Sequence, residues 1–184
     1  MALESRDAVL GQLNEALKAV NAGEVGQLEA LVSVAREVFC HGFGRSGLGV
    51  RAFAMRLMHM GIPVSIVGDT LAHPICAGDV LVLASASGGS DVLLSAARKA
   101  REAGAKIALI CGNEASPLAE WADVMVVIHA PSKEDRGDVR ASVLPMGSLF
   151  EEASFILLDM VILDLMRKLH VTNEDMVSRH ANLE

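Results

Sequence analysis

The sequence predicts a three-layer α/β/α protein of the doubly wound class, with a five-stranded parallel sheet in the order 2-1-3-4-5. Short runs rich in valine and isoleucine alternate along the chain with longer segments of helical periodicity. The short runs are apolar almost throughout, as expected of parallel strands covered by helices on both faces. With 184 residues, of which 52% are apolar, the chain is long enough for one core, so we predict a single domain over residues 1–184.

The elements follow from periodicity and turn residues. Apolar residues at helical spacing predict an amino-terminal hairpin of two helices, 3–20 and 25–35. Apolar runs then predict strands over 37–41, 63–67, 79–84, 106–111 and 123–129. Helical patterns between the strands predict helices over 46–60, 90–103 and 116–121. This repeated alternation of strand and helix indicates a doubly wound sheet.

Two further helices end the chain after a long connection. Segment 130–147 is longer than ordinary connections, which predicts either a functional flap or a locally disordered loop. The stretch 148–169 is predicted as one long helix. A last short helix is predicted to begin at Thr172, because Asp175 follows at the spacing of a capping box.

The long helix 148–169 is apolar enough to raise the question of a membrane span. Four carboxylates recur through it, those of Glu151, Glu152, Asp159 and Asp164. Each would cost about 3 kcal/mol in lipid, so we expect no membrane insertion. Apolar residues nevertheless cover more of the helix circumference than one domain face can bury, which favours self-association.

Charge and cysteine usage exclude several classes of protein. The net charge of −7 and the pI near 5.3 give no field that attracts a polyanion, so a nucleic-acid partner is not expected. The first residues lack the apolar stretch of a signal peptide, and Cys40, Cys76 and Cys111 form no close pairs. A reduced cytoplasm therefore fits best. No spacing of histidine, cysteine or acidic residues is persuasive for a metal, and we predict neither metal nor cofactor.

Two loops of small residues are the most informative motifs. Each directly follows a predicted strand and precedes a predicted helix: Gly42-Phe-Gly44-Arg-Ser-Gly47 and Ala84-Ser-Ala-Ser-Gly-Gly-Ser90. Glycines let backbone amides approach a ligand, and the following helix offers unpaired N–H groups and the positive end of its dipole. Two such loops indicate one small phosphorylated ligand.

The first loop also matches the dinucleotide fingerprint G-x-G-x-x-G, with Asp69 at about the distance of a ribose-binding acid. In a dinucleotide fold, however, the third strand lies at the sheet edge, where the serine-rich loop would meet no ligand. In the order 2-1-3-4-5 the first and third strands are neighbours, and both loops face one pocket. We prefer that order, and a dinucleotide-binding module remains an alternative.

The shared pocket assigns a role to each polar group of the loops. A phosphate would be held by the hydroxyls of Ser46, Ser85, Ser87 and Ser90 and by the amides of Gly88, Gly89 and Ser90, with Gly44 allowing close approach. Ser87 or Ser90 could instead be a plain helix cap. Arg45 could pair with the substrate anion or with an acid of a neighbouring subunit, although a solvated arginine is the ordinary expectation for a loop.

Four motifs are spread over the whole chain. They are Gly42-x-Gly-Arg-Ser-Gly47 with Ala52-Phe-Ala-Met-Arg-Leu-Met58, the serine-rich loop, Pro145-Met-Gly-Ser-Leu-Phe-Glu151, and Arg179-His-Ala-Asn-Leu-Glu184. Together they resemble the 6-phospho-3-hexuloisomerase family of the sugar isomerase domain superfamily. The resemblance implies a homotetramer with active sites at subunit interfaces. It also implies interconversion of a 3-hexulose 6-phosphate with fructose 6-phosphate without a redox cofactor.

The serine-rich loop departs from the pattern of the family it resembles. Where the family usually has Ser-Gly-Ser-Gly-Glu-Thr, this chain has Ser85-Ala-Ser-Gly-Gly-Ser90. The final hydroxyl is kept, and the carboxylate is replaced by Gly89. Removing a negative charge beside a phosphate should not weaken anion binding.

Moving a carbonyl between adjacent sugar carbons needs a base, a donor to the enediolate oxygen and shelter from water. The resemblance makes Glu151 the candidate base, whereas spacing alone favours a capping box between Ser148 and Glu151. Glu152 points about 100° away on the helix and is the weaker candidate. His180 is the candidate acid or donor, because its charge can change near neutral pH.

The sequence therefore predicts a cytoplasmic, metal-independent ketose-phosphate isomerase in which Glu151 transfers the proton and His180 assists. A non-catalytic sugar-phosphate sensor and another sugar-phosphate isomerase of the same fold remain alternatives. Two other histidines receive smaller roles: His73 could line the mouth of the pocket, and His41 is expected to be packed or capped.

Overall fold

The computed structural model describes residues 2–130 and 142–183. Most of the connection 130–147, for which the sequence suggests a flap or a disordered loop, lies outside the described residues. The strands are β1 (Val38–Gly42), β2 (Val64–Ile66), β3 (Val80–Ser85), β4 (Lys106–Cys111) and β5 (Val124–Val127). The helices are α1 (Arg6–Lys18), α2 (Ala22–Ser33), α3 (Gly44–Met60), α4 (Asp91–Glu102), α5 (Ser148–Leu169) and α6 (Asn173–Ser178).

The five strands form one parallel sheet in the order β2-β1-β3-β4-β5. This confirms the predicted fold class and strand order. The central pair is β1 and β3, in which Gly42 pairs with Ala84. The carboxyl ends of these two strands therefore lie side by side, and the two loops that follow them begin at the same edge of the sheet.

Helices cover the sheet on both faces, as the apolar strands require. Cys40, Val82 and Ile110 face the larger core, which also contains side chains from α1, α2, α3 and α5. Phe39 and Leu81, one residue out of phase, face the smaller core beneath α4. The alternation along each strand thus divides the buried residues between two layers.

The predicted helix over 116–121 is wrong in its length, because only a 3-10 turn forms at Ala119–Trp121. The residues before it are held in a loop. The Asn113 side chain accepts a hydrogen bond from Ala115 N at 3.0 Å, and Leu118 N donates to Gly88 O at 3.1 Å. These contacts hold the segment against the serine-rich loop, and an α-helix does not form from residue 116.

The two ends of the chain pack as the sequence predicts. The amino-terminal hairpin of α1 and α2 is present, and the Asn21 side chain caps α2 by accepting from Gly23 N. Thr172 caps α6 in a capping box with Asp175, which confirms that prediction. Over residues 2–130 and 142–183, none of the helices combines the length and the apolar character that crossing a bilayer requires.

Candidate active site

A cavity of about 400 Å³ lies at the carboxyl ends of β1 and β3. Both small-residue loops contribute to its wall, which confirms that they converge on one pocket. The start of α5 forms a third part of the wall. The lining residues are Phe43, Gly44, Ser46, Ala84, Ser85, Ala86, Ser87, Ser90, Leu93, Met146, Gly147 and Glu151.

Three helices direct their amino termini at this cavity. They are α3, α4 and α5, of 17, 12 and 22 residues, whose N-cap residues are Phe43, Ser90 and Gly147. None of these three N-caps makes a side-chain hydrogen bond to its helix. Backbone N–H groups in the first turns of α3 and α4 are therefore available, whereas Ser148 N and Phe150 N of α5 already donate to Pro145 O and Gly147 O. The three helix dipoles add at one place. The sequence predicted that the first two termini face the pocket, but not the third.

The first loop brings α3 so close to β1 that only glycine fits. A Cβ on Gly47 would lie 2.4 Å from Gly42 O, and a Cβ on Gly42 would lie 3.0 Å from Ala84 O. Gly44 has a φ of 56°, in the left-handed region that favours glycine. The glycines thus place the first turn of α3 beside the end of β3.

Three serine hydroxyls of the cavity wall are available to a ligand. Ser46, Ser87 and Ser90 line the cavity, and the structure shows no hydrogen bond of these hydroxyls within residues 2–130 and 142–183. Ser90 occupies the N-cap position of α4 without capping it. Ser85 Oγ accepts a hydrogen bond from Gly88 N at 3.1 Å, so this side chain also shapes the loop. Gly88 and Gly89 belong to the same loop without lining the cavity.

Glu151 places a carboxylate in the cavity wall, with 19% of its side chain exposed. The capping box predicted between Ser148 and Glu151 is wrong. The N-cap is Gly147, in a left-handed conformation with φ 81°, so Ser148 is already the first helical residue. The carboxylate instead accepts a hydrogen bond from Arg45 Nε at 2.6 Å.

Arg45 joins two carboxylates at the start of α5. Its Nε binds Glu151, and its Nη2 binds Glu152. The hydrogen bond to Glu151, together with the charges of both carboxylates, raises the pKa of Arg45 above its ordinary value. Arg45 is thus occupied by protein acids and, unlike Gly44 and Ser46, does not line the cavity.

His180 lies in a different place from Glu151. Its ring stacks on His59 at 5.2 Å between centroids, and both rings line a second cavity together with Asp159. Arg179 holds this end of the chain by donating to His59 O at 3.1 Å. Burial lowers the pKa of His59. Within one chain, the structure does not bring His180 to the cavity wall that holds Glu151.

The two histidines with smaller predicted roles, His41 and His73, do not line the cavity that holds Glu151. His41 and His73 line a third cavity, on the face of the sheet covered by α4. His41 packs edge-on against Phe43, as the sequence analysis expected of a packed residue, and burial lowers its pKa. His73 Nδ1 lies 3.2 Å from a carboxylate oxygen of Glu37. In the described part of the chain, no group of three or more histidine, cysteine and acidic side chains is placed to hold a metal ion.

Two apolar residues of the cavity wall were not identified from the sequence. Phe43 and Met146 are both largely exposed, and Met146 has a φ of 58°, which is uncommon for a residue other than glycine. Met146 lies between Pro145 and Gly147, the turn that directs α5 into the cavity. A proline and a glycine on either side of a residue were the available signal for such a turn.

Known proteins share the sequence and the architecture described above. The SIS domain family model matches residues 31–150. A 3-hexulose-6-phosphate isomerase of Bacillus subtilis is 35% identical over 176 residues, which cover 96% of this chain and 95% of the relative. The corresponding protein of Mycobacterium gastri is 45% identical over 147 residues, covering 80% of this chain and 73% of the relative.

A solved structure gives the same result at the level of the fold. It is a hypothetical protein from Methanococcus jannaschii, whose crystal structure infers a molecular function of 3-hexulose-6-phosphate isomerase. That protein is 32% identical, with a TM-score of 0.86 over 99% of this chain and 100% of its own. The chain therefore belongs to the SIS domain family and, within it, to the family of the 3-hexulose-6-phosphate isomerases.

Proposed function

We propose that this protein interconverts 3-hexulose 6-phosphate and fructose 6-phosphate. The observation that carries the proposal is one cavity with two chemically different walls. Uncapped helix termini and serine hydroxyls form the wall that suits a phosphate, and the carboxylate of Glu151 forms the wall that suits proton transfer. The relatives that bear the isomerase name support the same assignment.

The phosphate acts as the handle of the substrate. Ser46, Ser87 and Ser90 donate hydroxyl hydrogen bonds, and the first turns of α3 and α4 donate N–H groups. Ser85, Gly88 and Gly89 complete the loop that presents these donors. Binding energy from the phosphate holds the reacting carbons beside Glu151, which raises turnover as well as affinity.

Glu151 performs the proton transfer in this proposal. Its carboxylate removes the proton from the carbon beside the carbonyl, and the electron pair of that bond moves to the carbonyl oxygen to give an enediolate. Glu151, whose carboxylic-acid proton exchanges with solvent, then protonates the former carbonyl carbon. The hydroxyl proton of the neighbouring carbon moves to the former carbonyl oxygen, and the carbonyl forms at that neighbour. Arg45 orients the carboxylate through its hydrogen bond, so we assign Arg45 a positioning role rather than contact with the phosphate. The step balances without a metal or a redox cofactor.

A second copy of the chain would supply the donor to the enediolate oxygen. We propose a homotetramer in which His180 reaches the cavity of a neighbouring subunit, because it does not line the cavity of its own chain. The outer surfaces of α3 and α5 support this assembly, since they carry several large apolar side chains that are exposed in one chain. These are Leu48, Met55, Met58, Phe155, Ile156, Met160 and Leu163. We place the enzyme in the cytoplasm, in line with its free cysteine thiols.

The proposed reaction is tested by isotope exchange. Fructose 6-phosphate is incubated with the protein in heavy water, and deuterium in the carbon skeleton is measured by mass spectrometry. We expect incorporation with the wild type and its loss with Glu151→Gln, while binding of fructose 6-phosphate is retained. Glu152→Gln is the matched control, since it changes the neighbouring carboxylate and should still exchange. Absence of exchange with a folded wild-type protein would reject the proposed function.

A further inference from the structure

The serine loop, residues 85–90, is backed by a second loop, residues 112–118, which follows β4. Two backbone hydrogen bonds join the loops, from Gly112 N to Ala86 O at 3.0 Å and from Leu118 N to Gly88 O at 3.1 Å. Gly88 has a φ of 64°, and a Cβ at this position would lie 2.2 Å from Ser116 Oγ. The Ser116 side chain is therefore packed directly on the loop that lines the anion cavity.

Ser116 is also exceptional in its hydrogen bonding. Ser116 is 2% exposed. Among the residues that the structure describes, its Oγ is the one buried side-chain polar atom without a hydrogen-bond partner. The backbone is satisfied, because Ser116 N donates to Asn113 O and Ser116 O accepts from Ala119 N. Burying an unpartnered hydroxyl is costly, and alanine would fill the position without that cost. The free protein therefore gives no structural explanation for a serine at this position, and a hydrogen-bond partner has to come from another state of the protein.

The serine loop can provide that partner when a ligand binds. Gly88 N donates to Ser85 Oγ at 3.1 Å, so one amide and one hydroxyl of the loop are bonded to each other. Ser85 lines the cavity, so a phosphate there competes for its hydroxyl, and Gly88 N loses its acceptor when the phosphate takes that hydroxyl. Ser116 Oγ lies against Gly88, and its hydroxyl group, which can accept a hydrogen bond and can turn its hydrogen about the Cβ–Oγ bond, is placed to follow that change.

We propose that Ser116 is a positioning residue of the anion site, whose hydroxyl takes a hydrogen-bond partner in the backbone of the serine loop when that loop closes on a phosphate group. This inference rests on the proposed function, because it assumes that the cavity binds a sugar phosphate. Ser116 does not touch the ligand and acts through Gly88. The hydroxyl is desolvated in the free protein and in the complex alike, so affinity increases by the free energy of the one hydrogen bond that forms in the complex.

The test compares affinity with stability in the variant Ser116→Ala. Binding of fructose 6-phosphate and of inorganic phosphate is measured by calorimetry, and the Tm of the free protein by thermal unfolding. We expect affinity for both to fall about 3- to 10-fold, the loss of one neutral hydrogen bond. We expect Tm to equal or exceed that of the wild type, because the free protein has no hydrogen bond there to lose. In turnover, KM should rise while kcat stays within about twofold.

Ser65→Ala is the matched control. Ser65 Oγ donates to Glu37 Oε1 at 2.6 Å on β2, away from the anion cavity. Removing this hydroxyl breaks a hydrogen bond of the free protein, so Tm should fall while the affinity for both ligands stays at the wild-type value. The two serine variants are thus expected to give opposite patterns.

Each other result rejects the inference. Unchanged affinity in Ser116→Ala overturns it and leaves the proposed function intact. A lower Tm of Ser116→Ala, with or without weaker binding, also overturns it, because the hydroxyl would then have a partner in the free protein. If the wild type binds neither fructose 6-phosphate nor inorganic phosphate, the proposed function fails, and the inference fails with it.

Discussion

At the scale of single residues, the hydrogen bond from Arg45 fixes the position of the Glu151 carboxylate. One guanidinium satisfies two carboxylates, since its Nε binds Glu151 and its Nη2 binds Glu152. A lysine has a single ammonium group and cannot reproduce this fork. Arg45 also offsets one of the two negative charges that would otherwise repel an incoming phosphate. In the proposed mechanism, Arg45 therefore both orients the Glu151 carboxylate and favours entry of the phosphate.

The variant Arg45→Gln should lower kcat/KM for fructose 6-phosphate by about 10-fold or more, because Glu151 loses its charge-assisted hydrogen bond. Arg45→Lys should lie between this variant and the wild type. Steady-state kinetics on the three proteins measures the effect, and thermal unfolding checks that each is folded. Wild-type kinetics in Arg45→Gln would remove the positioning role.

Residue roles were the part of the site that the sequence predicted least completely. The spacing of Ser148 and Glu151 is that of a capping box, yet Gly147 takes the N-cap position because its left-handed backbone ends the preceding turn. The partner of Glu151 is 106 residues away, and no local pattern reveals such a contact. The serine-rich loop was recognisable because its glycines and hydroxyls are adjacent in the chain.

At the scale of elements, the contact between β1 and α3 fixes the shape of the anion cavity. Gly42 and Gly47 let the strand end and the helix start meet with backbone against backbone. Any side chain at Gly47 would push the first turn of α3 away from the end of β3. The positions of Gly44 and Ser46 depend on this contact.

The variant Gly47→Ala should lower the free energy of unfolding by about 2–4 kcal/mol and weaken phosphate binding, because its Cβ would lie 2.4 Å from Gly42 O. Denaturant unfolding and calorimetry measure the two effects. Gly49→Ala, in the same helix, is the control: its Cβ would meet Phe155 at an ordinary 3.7 Å. This control should be neutral or more stable by up to about 1 kcal/mol, owing to helix propensity.

A salt bridge at the opposite end of β3 makes stability depend on pH. Burial alone would raise the pKa of Asp79, but hydrogen bonds from Arg36 and from Cys76 N outweigh burial and hold that pKa below its usual value of 3.8. A lowered pKa means that the stabilisation is complete above the unfolded pKa and is lost as pH falls through the folded one.

Asp79→Asn should therefore lower Tm by roughly 5 °C at pH 7, and the difference from the wild type should shrink as pH falls below about 4. Thermal unfolding of both proteins between pH 3 and 7 measures this difference. A constant difference over that range would show that the charge of Asp79 is not responsible.

The boundaries of the strands could be predicted from sequence patterns, whereas one helix could not. The strands were predicted within a few residues because parallel strands covered on both faces are apolar without interruption. The helix predicted at 116–121 failed, because its residues are used for contacts with the serine loop, and tertiary contacts override local propensity.

At the scale of the whole molecule, the proposed reaction depends on a second chain, because Glu151 and His180 lie in different cavities of one chain. Glu151 lines the cavity at β1 and β3, whereas His180 stacks on His59 beside α6. The long helix that begins near Glu151 carries the exposed apolar face on which a second copy would pack. The sequence indicated self-association from the same helix, but which subunit completes which cavity depends on a geometry that no single-chain pattern contains.

The variant Leu163→Glu should dissociate the proposed tetramer, because it places a charge in the apolar face of α5. Sedimentation measures the assembly, and isotope exchange with fructose 6-phosphate should fall with it. Val34→Glu is the control, since Val34 is 80% exposed at the end of α2 and lies outside that face. A Leu163→Glu protein that sediments like the wild type would argue against this surface as the interface.

The convergence of α3, α4 and α5 has a further consequence for ligand capture. The donors that these three termini and their serines present are amides and hydroxyls, which neither gain nor lose a proton between pH 5 and 9. A phosphate ester changes from one negative charge to two near pH 6. The affinity of this part of the cavity for the ester should thus rise with the second ionisation of the phosphate. An analogue whose charge does not change over this pH range should show no such rise as the solution becomes more alkaline.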